Sequence, residues 1–260
     1  MPLVPVFPVA ETAAFPDHPR RRRRESVRGA SVREGTARDH WTAAHGELAV
    51  VQVLARRRLL DDGPSGIEIM PTRARALLSE PHAGLLGQIA AGWPDSPVAL
   101  SHAGPAIDAS RLTGQVAGFL EVAHMPAFRL ELVLPETALI TLDTDGLLAL
   151  SALRDLGIGL CLDAFGAGVT SLTVLRRLPL TSLKLARPLV RAVPAGREDA
   201  TFLRAIVATA HAVGLTVIGD GIETEHQRAF LAHSGCDEGQ GPLFGPPIQI
   251  TALPRHGILA

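Results

Sequence analysis

The chain has 260 residues, 47% hydrophobic and 20% charged, enough apolar material for one sizeable domain with an extension. Its 25 basic and 26 acidic residues leave a net charge of −1, which excludes a global electrostatic pull toward nucleic acid or an anionic membrane. Two cysteines, Cys161 and Cys236, exclude a disulfide scaffold and a cysteine-type zinc module, and both lie in apolar runs, as expected of reduced thiols in a cytoplasmic protein.

Residues 1–45 carry five prolines, the run Arg20 to Arg24 and no sustained apolar period, which predicts a disordered basic tail. The arginine run suits phosphates or acidic partners; a solvated tail, or a start assigned upstream of the true domain, explains it equally. The apolar N-terminal residues precede the basic run, the reverse of a signal peptide. No stretch approaches ~18 consecutive apolar residues, so no membrane-spanning helix is expected.

The texture changes near residue 46, and we take 46–255 as the folded domain. RLELVL (129–134) is a strand candidate, and DGLLALSALRDLG (145–157) reads as a helix ended by Gly157. GLCLD (159–163), SLKLA (182–186) and LTVIGD (215–220) are brief apolar runs, each with a polar residue at or near its end, and read as buried strands. Between them, SLTVLRRLP (171–179) is amphipathic and stopped by Pro179, and TFLRAIVATAHAVG (201–214) is a helix with Gly214 at its C-terminus. This alternation implies a parallel sheet with crossover helices. Its repeated spacing favours a (β/α) barrel, although spacing alone does not exclude an open sheet.

The strand ends carry Asp163, Lys184, Asp220 with Glu223 one turn on, and Gln240. In a barrel, the active site lies on the C-terminal rim and is built from several strands. Clustered carboxylates with a lysine and an amide suit a hard divalent cation and a phosphate-bearing substrate. Ordinary polar strand ends are the other explanation.

The blocks LCLDAFGAG, LKLA, GDGIET and QGPLFG, in this order and spacing across roughly residues 129–248, resemble the second half of the EAL family, the bacterial cyclic di-GMP phosphodiesterases and their degenerate relatives. The resemblance implies a TIM-type (β/α)8 barrel with one antiparallel strand. It also implies two Mg²⁺ or Mn²⁺ ions at the rim and cleavage of cyclic di-GMP to pGpG. GIEIM (66–70) stands at the EAL signature, making Glu68 the signature glutamate. The segment from there to VALS (98–101) is much shorter than in the family, which predicts a strand or helix lost from the first half.

Carried over residue by residue, the family pattern assigns metal contacts to Glu68, Asp163 and Asp220, and catalysis to Glu223 and Lys184. Arg73 and Gln240 would contact the nucleotide. Ala99, Val133 and Ala164 stand where the pattern has oxygen donors, and Ala186 and Pro242 are further departures. Glu131 shares the strand face of Val133 one pleat away, too far to replace its donor. At most one weak Mg²⁺ or Mn²⁺ site is expected, with impaired turnover.

The retained loop 165–172, with Gly166, Gly168 and Ser171, implies a homodimer by family analogy. The histidines show no metal-ligand spacing, and Trp41 and Trp93 read as packing residues. The expected function is therefore nucleotide sensing or protein docking by a degenerate EAL domain. The alternatives are an active phosphodiesterase with an altered metal site and a decayed fragment.

Overall fold

In a computed structural model, the described residues are 51–71, 87, 97–101, 108–168, 175–193 and 197–249. The chain divides into residues 1–39 and 40–260, and every described residue belongs to the second unit. The expected tail, Arg73, Trp41, Trp93, His102 and Ser171 lie outside the described residues, as does the start of the helix expected over 171–179.

The strands are β1 (Val51–Arg58), β2 (Pro64–Pro71), β3 (Val98–Ser101), β4 (Leu130–Pro135), β5 (Gly159–Phe165), β6 (Ser182–Leu185), β7 (Thr216–Asp220), β8 (Glu238–Gln240) and the short β9 (Ile248–Gln249). From β2 to β8 each strand pairs in parallel with the next. β1 runs antiparallel to both β2 and β8 and closes the ring, and β9 adds to β1. The result is a closed eight-stranded barrel with one antiparallel strand. The shortening after Glu68 costs it no strand, because β2 lies directly against β3 with Glu68 opposite Ala99.

Helices α1 (Ala109–Ala123), α2 (Glu136–Ile140), α3 (Thr144–Asp155), α4 (Arg187–Ala192), α5 (Arg197–Ala212) and α6 (Glu225–His233) alternate with the strands. The predicted helices over 145–157 and 201–214 are α3 and α5. Asp143 caps α3 by accepting the Gly146 N–H at 2.8 Å.

Period-2 alternation divides each strand between two environments. Leu132, Leu134, Leu160, Leu162, Leu183 and Leu185 join the helices in one large core. Ala99, Val133, Cys161 and Ile218 form a separate small cluster inside the barrel. Other inward positions carry polar side chains, and these define the site.

Candidate functional site

The inward polar side chains form two tiers. In the lower tier Arg56, from β1, donates to Glu131 Oε2 on β4 at 2.6 Å and lies 3.7 Å from Glu238 on β8. Ser182 on β6 donates to the other Glu131 oxygen at 2.5 Å. Glu131 is therefore a partner of Arg56 and Ser182, as its inward position one pleat from Val133 requires. Burial raises the Glu238 carboxyl above its usual range against the opposing pull of Arg56.

Glu68 links this tier to the rim. Its side chain is 0% exposed and Lys184 is 1% exposed. Lys184 Nζ donates to Glu68 Oε1 at 2.6 Å and to Oε2 at 2.5 Å. Ser101 Oγ donates to Oε1 at 2.5 Å, and Arg56 reaches Oε2 at 3.4 Å. Burial alone pushes the Glu68 carboxyl up, but Lys184 and Arg56 beside it and the hydrogen bonds from Lys184 and Ser101 hold it at about 2. Burial opposes the charge on Lys184, yet Glu68 and Asp163 raise its affinity for the proton above the ordinary lysine value.

Asp163 ends the inward run of β5, 3.6 Å from Lys184 Nζ. Burial, with repulsion from Glu68 and Asp220, raises its carboxyl against the pull of Lys184. The next residue, Ala164, has φ +54°, a left-handed backbone that a Cβ resists. Gly168, after the same strand, leaves no room for a side chain, since a Cβ would stand 2.1 Å from the buried Glu136 carboxylate.

On β7, Asp220 accepts from Gln240 Nε2 at 3.0 Å and from Arg187 Nε at 2.8 Å. Gln240 is buried, and its Oε1 has no partner among the described residues. Gly221 turns the chain at φ +78°, and the Arg187 stem packs where its Cβ would lie. Glu223 is fixed by the start of α6. Gln227 Oε1 accepts from the backbone N–H of Glu223 at 2.8 Å and of Thr224 at 3.0 Å, closing a capping box with Thr224. The Glu223 carboxylate then receives Nε and Nη2 of Arg191 at 3.0 and 2.6 Å.

Of the residues singled out by sequence, the structure joins Glu68, Lys184 and Asp163 in one contact chain, and Asp220 with Gln240 in another. Glu223 stands on the Arg191 pair. Arg56, Ser101, Ser182, Arg187 and Arg191 were not anticipated. For the two helix arginines a signal existed in their four-residue spacing directly after Lys184. His211 pairs through Nε2 with Asp237 at 2.9 Å, away from these groups in contact terms. Both cysteines are free and buried, with burial raising their thiols.

An EAL domain profile matches residues 85–247, more than half of the chain. The chain belongs to the EAL domain family. The match begins after β2, so Glu68 is placed by strand register and contacts. Over 142 residues the domain is 40% identical to the cyclic di-GMP phosphodiesterase NbdA of Pseudomonas aeruginosa, covering 55% of this chain and 18% of that protein. It is 33% identical over 137 residues to the cyclic di-GMP phosphodiesterase RocR of the same organism, covering 53% of this chain and 35% of that one. The chain thus spans a minor part of these relatives. The EAL domain of Mycobacterium smegmatis DcpA superposes with a TM-score of 0.70 at 23% identity, covering 78% of this chain and 92% of that one, and shares the fold.

Two positions at which the family resemblance expects metal donors, 99 and 133, carry apolar side chains. Ala99 and Val133 supply no side-chain oxygen and lie in the apolar cluster with Cys161 and Ile218. Glu68, Asp220 and Glu223 are each held by a protein cation. Among the described residues, no three His, Cys, Asp or Glu side chains are grouped to hold a metal ion. No described helix is long and apolar enough to cross a membrane.

Proposed function

We propose that this EAL domain is a non-hydrolysing signalling module that responds to cyclic di-GMP or docks a protein partner. The observation that carries the reading is the apolar layer inside the barrel. Two of its four members, Ala99 and Val133, stand where the family pattern has metal-binding donors. A phosphodiester displacement needs charge stabilisation at both the attacking and the leaving oxygen, and two adjacent cations supply it. Losing one cation costs several kcal/mol of that stabilisation, and each ~1.4 kcal/mol is tenfold in rate.

The same reading takes residues 46–255 as the module, 1–45 as a basic tail, the cytoplasm as its compartment, and the loop after β5 as the contact for a second copy. A hydrolytic reading keeps one observation in its favour, the contact chain of Glu68, Lys184 and Asp163.

Calorimetry of cyclic di-GMP into the purified protein, with Mg²⁺ and then Mn²⁺, separates these readings. Saturating heat with no pGpG in the cell afterwards is expected. Sustained heat with pGpG accumulating overturns the proposal in favour of an active phosphodiesterase. No heat from a folded sample assigns the domain to protein docking.

A further inference from the structure

Helix α4 follows directly from the Lys184 strand and presents Arg187 and Arg191 four residues apart, hence on one face. Both reach across to the end of β7 and the turn after it, Arg187 to Asp220 and Arg191 to Glu223. Their side chains are nevertheless 55% and 64% exposed. Arg187 uses only Nε on Asp220, whereas Arg191 uses Nε and Nη2 on Glu223. A guanidinium has five N–H donors, so each side chain keeps at least three, with none of them engaged among the described residues. The carboxylates therefore steer the two forks and leave their outer edges in solvent. The turn is built around this arrangement, since any side chain at position 221 would strike the Arg187 stem.

The charge balance points the same way. Glu68 is satisfied by Lys184, Asp220 by Arg187 and Glu223 by Arg191. Three of the four rim carboxylates are thus already paired with protein cations. The accessible donors are guanidinium groups, whose planar fork matches two oxygens of a phosphate.

We infer that Arg187 and Arg191 form a guanidinium pair at the barrel rim that grips a phosphate of an anionic nucleotide, with no divalent cation taking part. The inference rests on the reading that the rim is not a two-metal centre, and it assigns the binding energy to these two residues.

The test titrates cyclic di-GMP calorimetrically into the full chain in EDTA, and again with Mg²⁺ or Mn²⁺. It is repeated for Arg187→Lys, which keeps the packed stem and the charge but loses the fork, and for Arg191→Gln. Melting curves of each variant check the fold. Binding of wild type in EDTA, with a Kd changed less than about twofold by either metal, is expected. Arg191→Gln should weaken it about tenfold or more, and Arg187→Lys severalfold, equivalent to loss of charge-assisted phosphate contacts. Raising the ionic strength should weaken wild type more than Arg191→Gln. Metal-independent binding that neither variant alters overturns the arginine assignment and leaves the non-hydrolysing reading intact. Binding that appears only with Mn²⁺ or Mg²⁺, with pGpG formed, overturns both. No binding by a folded wild-type protein overturns the arginine assignment alone.

Discussion

The interior of the barrel and its rim both pair acids with bases, but under opposite physical conditions. In the interior, Arg56, Glu68 and Lys184 have side chains no more than 6% exposed, and each charge is bonded on more than one side. On the rim, Arg191 and Glu223 are 64% and 42% exposed. A buried pair stripped of one member leaves an uncompensated charge in a medium that cannot solvate it, whereas an exposed pair stripped of one member is rehydrated. The interior network is thus committed to the fold, and the rim pairs are free to exchange partners.

The sharpest test of this contrast removes an interior cation. Lys184→Met should cost about 3–5 kcal/mol, because Glu68 then keeps only the neutral Ser101 hydroxyl and the longer contact to Arg56 to offset its buried charge. Urea unfolding should show it as a large fall in midpoint with little change in slope. A loss below about 1 kcal/mol would place Lys184 with the rim groups.

The next test uses acid. The Glu68 carboxyl is lowered from 4.5 to about 2 in the folded state. A depressed carboxylate adds stability above its unfolded value, and that contribution disappears as pH falls through the folded value. Wild type should therefore lose about 3 kcal/mol between pH 4.5 and pH 2 from this group, on the order of 1.4 kcal/mol per pH unit. Glu68→Gln should be less stable at neutral pH, and its deficit should shrink across that window. Thermal melts at a series of pH values read the difference, and parallel wild-type and variant curves would contradict it.

A smaller effect is expected where β5 reaches the rim. Ala164 holds φ +54°, so Ala164→Gly should relieve strain and raise stability by about 1 kcal/mol. The increase would be read as a higher melting temperature. Smallest of all, Arg191→Gln should change stability by ~0.5 kcal/mol or less, since both partners are well exposed. A large loss there would erase the distinction between interior and rim.

The parts of this molecule that the sequence made legible follow from local rules. The runs at 159–163, 182–186 and 215–220 are short, apolar and bounded by polar residues, and each is a strand. Asp163 and Asp220 could be placed toward one rim because a parallel barrel sends all strand ends to one face, whereas Lys184 lies buried against Glu68.

What stayed hidden depends on register between distant strands. Nothing in VQVLARRR marks Arg56 as an inward residue, since an arginine in a strand ordinarily faces water. Its position became meaningful only when Leu54 was paired with Glu68 and the next inward place fell beside Glu131. Ser101 and Ser182 were invisible for the same reason. Of the strand or helix expected to be missing after Glu68, no strand is missing, because β2 pairs directly with β3, while residues 72–86 and 88–96 lie outside the described residues.

The antiparallel β1 carries a further consequence for how the protein is made. It finds β2 at once, as a neighbour in the chain, but its other edge is reserved for β8 and β9. Until those last strands emerge from the ribosome, an edge with unpaired backbone groups stays open to any passing strand. The ring closes only when late-synthesised residues return to early ones, so closure is a long-range, slow event in folding. Arg56 sits on the strand that waits, and its full set of acidic partners assembles only in that final step.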